Sequence, residues 1–126
     1  MVLDRGVIDA IGYLDTNETA YLMIFDHLEW DKDILDEHFQ ILQDKLNDYF
    51  MFIQTGQVEE NFDKNQPFEI KNYTIFISFL HPPTRKAKYF LHEAQKTAKK
   101  IHTKIQYYSG EMGNVNSFLD LDLKNA

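Results

Sequence analysis

The chain has 126 residues, of which 44% are hydrophobic and 14% aromatic, and this length and composition fit one globular domain and exclude a disordered chain. Cysteine is absent, so disulfides, thiol nucleophiles and thiolate metal sites are excluded. Residues 1–69 hold 16 acidic and 4 basic side chains, whereas residues 70–126 hold 4 and 9, and the net charge of −7 argues against a general nucleic-acid binder.

The expected cellular location follows from the apolar segments, which show neither a membrane span nor a signal peptide. No run approaches the roughly 18 apolar residues of a membrane span. The first ten residues, MVLDRGVIDA, carry acids where a signal peptide needs a basic start and a long apolar stretch. We therefore expect a cytoplasmic protein that does not bind membranes.

Two short apolar segments come first, residues 7–13 and 20–26. The second alternates Tyr21, Met23 and Phe25 with apolar residues, so both of its faces are apolar. Residues 14–18 between them are a polar stretch typical of a turn. The pattern predicts a β-hairpin.

The longest clean pattern predicts a helix from about residue 32 to residue 55. Its apolar stripe has helical spacing and is formed by Leu35, Phe39, Leu42, Leu46, Tyr49, Phe50 and Ile53. Asp31 is a candidate N-cap, Trp30 before it is placed to pack on Leu35, and Gly56 suits the left-handed position after the helix. The broad apolar arc favours a helix lying along a sheet over a coiled-coil strand.

The second half alternates strand and helix. Residues 68–80 predict a central strand, which Pro82 and Pro83 bring to an end. Thr84 caps a predicted helix over residues 85–103, and residues 104–108 form a last strand. The remaining residues, 111–126, alternate leucine with aspartate near their end and could form an edge strand, a short helix or a mobile arm.

The resulting order, β-β-α-β-α-β, predicts an α+β fold with a mixed four-stranded sheet and two helices on one face. Residues 1–110 then form a single α/β domain and residues 111–126 a C-terminal tail. Two helices on one side leave the other sheet face in need of cover. We expect that cover from a homodimer partner or from the tail.

Four polar side chains are the candidates for chemistry. Asp26, His27 and Glu29 follow the second predicted strand, and His81 follows the third. Parallel strands would bring them to one rim, where ligand sites of open α/β sheets lie. Asp26, His27 and His81 could act as an acid–base group, and with Glu29 they could hold a divalent metal. In the simpler interpretation Asp26 is a turn residue and both histidines face water, and no recognised metal motif is present.

Other patterns predict structure rather than chemistry. His38 flanks the apolar stripe and is expected to be a packed histidine. The basic face of the second helix lacks the interleaved aromatic residues of a nucleic-acid surface, and no glycine-rich phosphate loop occurs. No cofactor is implied.

Three residues are candidates for protein contacts. Trp30, at a strand–helix junction, could anchor a partner or serve only as a staple. Gln43 and Asn47 form an i, i+4 pair beside the apolar stripe and, with Gln54, a polar ridge. The ridge could be a contact surface or a solvated flank.

The motifs also carry a resemblance. The start Ile8-Asp9-Ala10-Ile11-Gly12, the pair Trp30-Asp31, and the helix segment from Leu42 to Tyr49 with Phe52-Ile53-Gln54-Thr55-Gly56-Gln57 are similar to a small bacterial family of unknown function. The resemblance covers about residues 7–105. It implies a bacterial cytoplasmic origin and supplies no activity.

From these observations we expect a non-enzymatic protein-interaction module of the immunity or adaptor kind, since the acidic first half could steer a basic partner. The alternative is a small metal- or ligand-binding domain or enzyme that uses Asp26, His27 and His81.

Overall fold

The computed structural model describes residues 1–14, 17–33, 35–62 and 69–109. Its elements are β1 (Ala10–Leu14), β2 (Thr19–Asp26), α1 (Leu35–Gln54), a short 3-10 helix (Glu59–Asn61), β3 (Asn72–Phe79), α2 (Arg85–Lys99) and β4 (Thr103–Ser109). The predicted order β-β-α-β-α-β is confirmed. The predictions for the tail, residues 111–126, fall outside the described residues.

The four strands form one mixed sheet in the order β1-β2-β3-β4. β1 pairs antiparallel with β2, while β2, β3 and β4 run parallel to one another. In this register Asp26 lies level with Phe79, and Phe79 with Ser109. The carboxyl ends of the three parallel strands therefore meet at one edge of the sheet, here called the carboxyl edge.

Both helices pack on the same face of the sheet, as predicted. This helix-covered face contributes Ala20, Leu22, Ile24, Ile75, Ile77 and Phe79 to the main core. The helices contribute Leu42, Leu46, Tyr49, Ile53 and Leu91. Since all of these side chains are at most 7% exposed, one continuous apolar layer joins both helices to the sheet.

The opposite face of the sheet, here called the second face, has a smaller apolar cluster. Met23 and Phe76 are its buried members, and Ala10, Phe25 and Tyr108 pack around them. Every one of these residues belongs to a strand. The alternation of side chains along each strand, which the sequence showed for residues 20–26, thus supplies two different apolar surfaces.

Several element ends match their sequence signals. Thr84 Oγ1 accepts a hydrogen bond from Ala87 N at 3.1 Å and caps α2. Gly56, with φ of 78°, ends α1, and Gln57 N donates to Phe52 O at 3.0 Å, which is the longer hydrogen bond of a Schellman turn.

The start of α1 and the end of α2 differ from the positions that the sequence pattern predicted. α1 begins at Leu35 rather than near Lys32, and Asp31 Oδ1 accepts from Asp33 N at 3.2 Å in a separate turn ahead of the helix. α2 ends at Lys99, four residues before the predicted end, and His102 adopts a left-handed φ of 54° in the turn into β4. No helix in the described part of the chain is both long and apolar enough to cross a lipid bilayer.

Candidate functional site

Asp26, the last residue of β2, lies inside the molecule at the carboxyl edge. Its side chain is fully buried, since even-numbered residues of β2 point toward the helices. Oδ1 accepts a hydrogen bond from Leu28 N at 3.0 Å, and Oδ2 lies 2.6 Å from Nε2 of His38. Both carboxylate oxygens are therefore occupied by groups of the protein itself.

His38, in the first turns of α1, completes a buried pair with Asp26. Its Nδ1 lies 3.1 Å from the carbonyl oxygen of Glu29, and its side chain is fully buried. A carbonyl oxygen only accepts, so Nδ1 must donate to it. The proton of the hydrogen bond between His38 Nε2 and Asp26 Oδ2 then lies either on the imidazole or on the carboxyl group. The pair holds one shared proton, and neither ring nitrogen faces solvent. Its geometry fixes the start of α1 on the end of β2.

Trp30 covers this pair from the side. Its ring stacks on His38 with centroids 3.5 Å apart and planes 16° apart. It also contacts Phe39 and Phe79, at centroid distances of 5.5 and 5.9 Å. The ring is half-buried among these partners, which agrees with the structural role that the strand–helix junction suggested.

Of the remaining sequence candidates, Glu29 and His81 lie on the surface, whereas His27 is half-buried and does not simply face water as the simpler interpretation expected. His81 Nε2 approaches Glu29 Oε1 to 3.9 Å, with the two side chains 39% and 71% exposed. Nδ1 of His27 is buried without a hydrogen-bond partner among the described residues. The fold thus brings Glu29 and His81 together and draws Asp26 away from them, to His38. Among the described residues no group of three or more histidine, aspartate or glutamate side chains is arranged to hold a metal.

A second buried network joins residues 4–9 to α1 and β2. The ammonium of Lys45, a fully buried side chain, lies 2.9 Å from Asp9 Oδ1 and 2.8 Å from the carbonyl oxygen of Val7, and also donates to that of Asp4. Asp9 Oδ2 accepts from Phe25 N at 3.0 Å. This cluster satisfies every donor of the lysine.

Tyr49 continues the network one helical turn further. Its hydroxyl donates to Met23 O at 2.6 Å and accepts from Asp9 N at 2.8 Å. Burial raises the pKa of Tyr49 well above its usual range, so the hydroxyl stays protonated. Sequence reasoning missed these contacts. The available signal was Lys45 itself, a lysine three residues after Leu42 and four before Tyr49 on the apolar side of α1.

A groove runs between the two helices on the outside of the molecule. It encloses about 240 Å³, and its walls and floor are formed by Gln43, Leu46, Asn47, Phe50, Phe90, Glu93, Ala94 and Thr97. Gln43 and Asn47, the polar ridge of the sequence, are exposed along one wall. The aromatic rings of Phe50 and Phe90 are half-buried, so the groove has an apolar floor and polar rims.

A wider cavity of about 570 Å³ lies at the opposite edge of the sheet, at the amino ends of β2, β3 and β4. Its lining includes Asn17, Thr19, Lys99, His102 and Thr103. Since Asp26, Glu29 and His81 lie at the carboxyl edge, none of the sequence candidates faces this cavity.

These features describe an α+β protein with two helices on one face of a mixed sheet, internal polar anchors at the carboxyl edge, and a groove between the helices. The chain belongs to a family of unknown function, DUF6572, whose model matches residues 1–111. The family resemblance read from the sequence is thereby confirmed. No curated protein and no solved structure matches the chain.

Proposed function

We propose that this protein is a non-enzymatic interaction module, of the immunity or adaptor kind, which binds a basic partner protein through α1 and the groove beside it. The groove between α1 and α2 is the observation that carries the proposal. An apolar side chain of a partner fits its floor, and amide or basic groups of the partner meet its polar rims.

The hydrogen-bonding capacity of the groove supports this proposal. The amide side chains of Gln43 and Asn47 are exposed and make no hydrogen bond to another described residue. Each offers a carbonyl acceptor and two N–H donors. On the facing wall Lys96 donates to Glu93 at 3.2 Å and lowers the pKa of that carboxyl, so this rim of the groove carries an ion pair of one carboxylate and one ammonium.

The charge around the start of α1 supports a basic partner. Asp31, Asp33, Asp36 and Glu37 are exposed within one short stretch, with Lys32 as the only base among them. Rim charges of one sign act mainly on the association rate, which they raise for a partner of opposite sign. We therefore expect the association rate to fall as salt is added.

The alternative, an enzyme or metal-binding domain that uses Asp26, His27 and His81, has less support. The approach of His81 to Glu29 is the observation in its favour. Both carboxylate oxygens of Asp26 already make hydrogen bonds, one with Leu28 N and the other with His38. Zinc titration followed by calorimetry tests this alternative, and binding that disappears in His81→Ala would favour it over the interaction module.

The interaction proposal is tested by blocking the groove. Gln43→Arg together with Asn47→Arg places two long cationic side chains on one wall of the groove. Both positions are exposed, so we expect the free energy of unfolding to change by less than about 0.5 kcal/mol per substitution. The partner is first captured from cells of the source organism with the unsubstituted chain. The affinity of this partner for the unsubstituted chain and for each variant is then measured by surface plasmon resonance.

The matched control is Gln57→Arg, an exposed glutamine that follows α1 and does not line the groove. We expect affinity to fall at least about tenfold in the groove variant and to stay unchanged in the control, as for residues inside and outside a contact. Equal affinities for both variants would place the contact elsewhere. A captured partner that proves to be a second copy of this chain would replace the basic partner with a homodimer.

A further inference from the structure

β4 lies at an edge of the sheet, and part of its outer side pairs with a side chain instead of a strand. The order β1-β2-β3-β4 leaves β4 with β3 as its one neighbour among the described strands. From α2, Gln95 Nε2 donates to Thr103 O at 3.1 Å, and Gln95 Oε1 accepts from Ile105 N at 2.6 Å. The amide of Gln95 therefore binds the edge as a residue of a further strand would, with one donor and one acceptor.

The next backbone groups along this edge have no such partner. In an extended strand the N–H and C=O of one residue point to the same side, and the direction repeats at every second residue. Ile105 O, Tyr107 N and Tyr107 O therefore point outward like Ile105 N, and none of them hydrogen-bonds a described residue. Unpaired edge groups of this kind are a template for another strand, which would begin where Gln95 ends.

A groove between α2 and β4 lies beside these groups. It encloses about 320 Å³, within the range of about 300–1000 Å³ that ligand pockets have. Leu91 is buried and Tyr107 is 42% exposed, so the floor of the groove is apolar and can be reached from solvent. Since side chains alternate along a strand, one added beside Tyr107 would direct every second side chain into this groove. The lining consists of Lys88, Leu91, His92, Gln95, Ile105 and Tyr107.

The charge of this groove indicates an acidic occupant. Lys88 and His92 line it, and no acidic side chain of the described residues does. Both are exposed, and neither makes a side-chain hydrogen bond or salt bridge with another described residue. The whole of α2 is basic, since it carries Arg85, Lys86, Lys88, Lys96 and Lys99 against the single acid Glu93. This surface is opposite in sign to the acidic start of α1, so the two attract partners of opposite charge.

We propose that the outer edge of β4 is a second binding site, which takes an extended acidic segment of a partner protein as an additional strand. Backbone hydrogen bonds to Ile105 and Tyr107 hold the segment. One apolar side chain of the segment packs on Leu91 and Tyr107 in the groove. Acidic side chains on either side of it pair with Lys88 and hydrogen-bond to His92. The site is separate from the groove between the helices and does not depend on the basic partner proposed for that groove.

Fluorescence anisotropy of labelled synthetic peptides, mixed with the full chain, tests this site. The first peptide has the core glutamate, threonine, valine, threonine, glutamate, so that the valine and both glutamates project from one side of an extended strand. A second peptide has lysine in place of each glutamate. We expect saturable binding of the first peptide and an affinity at least about tenfold lower for the second.

A charge reversal on α2 locates the contact. Lys88→Glu should weaken binding of the first peptide at least about fivefold, because it places a carboxylate beside the glutamates. The matched control is Lys86→Glu, at an exposed lysine of the same helix that does not line the groove, and it should change the affinity by less than about twofold. Equal losses in the two variants, or no saturable binding to the unsubstituted chain, would overturn the proposal.

Methylation of the peptide backbone tests strand addition itself. Two versions of the first peptide are methylated on alternate backbone nitrogens, so that each lacks the N–H donors of one side of the strand. We expect one version to lose at least about tenfold in affinity and the other to bind nearly as before, because its methyl groups point away from β4. Losses in both versions or in neither would exclude an added strand.

The two binding proposals can fail separately. The variant with Gln43→Arg and Asn47→Arg should bind the first peptide as the unsubstituted chain does, because neither residue lines the groove beside β4. A loss of peptide binding in that variant would contradict a separate site. If no peptide binds and the chain sediments as a dimer, β4 of a second copy would replace the acidic segment as the occupant of this edge.

Discussion

At the scale of single residues, buried polar side chains determine how the start of α1 meets the sheet. Asp26 and His38 form a pair with both side chains fully buried, and Trp30 stacks on the imidazole. Taking such groups out of water is costly, and each compensates the other only while both are present. The pair thus holds the start of α1 against the end of β2. Removing either side chain should lower the stability of the fold, because its partner would remain buried without a hydrogen bond.

Replacing Asp26 by alanine should remove this contact. His38 Nε2 and Leu28 N would lose their acceptor inside the protein. We expect the free energy of unfolding to fall by about 3 kcal/mol, as when one partner of a buried hydrogen-bonded pair is removed. Urea unfolding followed by Trp30 fluorescence measures it. Glu29→Ala, at an exposed carboxylate, is the control, and a similar small loss in both variants would contradict the role of the pair.

The contact between Arg5 and Asp48 should make stability depend on acidity. Arg5 donates to both oxygens of Asp48 at 2.6 and 2.9 Å and lowers the pKa of that carboxyl. A carboxyl whose pKa is lowered by folding stabilises the protein above its unfolded pKa of about 4, and this contribution disappears as pH falls through the folded pKa.

Asp48→Asn should therefore cost about 1 kcal/mol at pH 7, a modest value because Arg5 is largely exposed and water screens the pair. The difference from the unsubstituted chain should shrink as pH falls from about 5 to about 2. Urea unfolding across this range measures it. The exposed Asp36→Asn is the control, and a difference that stays constant with pH would exclude the ion pair as its source.

At the scale of elements, local backbone signals mark the start of α2 and the end of α1. Thr84 caps α2 with its side chain, and Gly56 closes α1 in a left-handed conformation. The amino end of α1 behaves differently. The helix begins at Leu35, the first residue of its apolar stripe, and the stacking of Trp30 on His38 holds this first part of the helix against the end of β2.

Gly56→Ala tests the closing turn of α1. A side chain at φ of 78° meets its own backbone, so we expect a loss of about 1 kcal/mol although no side chain crowds the position. Gly12→Ala in β1 is the matched control, because its φ is ordinary and a Cβ there meets nothing within 4 Å. It should be neutral or stabilise by a few tenths of a kcal/mol. Thermal unfolding compares the two variants, and equal losses would remove the conformational explanation.

At the scale of the whole molecule, the residues before β1 are part of the fold. Lys45 binds Asp9 and the backbone carbonyls of Asp4 and Val7, and Tyr49 binds the amide of Asp9. One helix therefore holds the sheet on its apolar side and the start of the chain through two polar side chains. Stability of the first residues and stability of the core are linked through α1.

Lys45→Met should break this link while keeping the apolar volume of the side chain. Asp9 Oδ1 would keep the amino group of Met1, 2.6 Å away, but it would lose the Lys45 ammonium, and the carbonyl oxygens of Asp4 and Val7 would lose their donor. We expect the free energy of unfolding to fall by about 2 kcal/mol. Trypsin cleavage after Arg5 should accelerate, since the segment would open locally before global unfolding. The exposed Lys99→Met is the control. Cleavage at an unchanged rate would show that the segment is held by other contacts.

The sequence by itself determined the class of fold, the order of elements and the ends marked by Thr84 and Gly56, because periodicity and backbone preference are local properties. The sequence also predicted the polar ridge of Gln43 and Asn47, because helical spacing places both residues on one side of α1. Only the tertiary structure decided that Asp26 pairs with His38 and leaves Glu29 to His81. That choice depends on which side of β2 is buried and on where α1 lies, and both follow from packing between elements far apart in the chain. The burial of Lys45 has the same origin, since its three acceptors come from residues about 40 positions earlier.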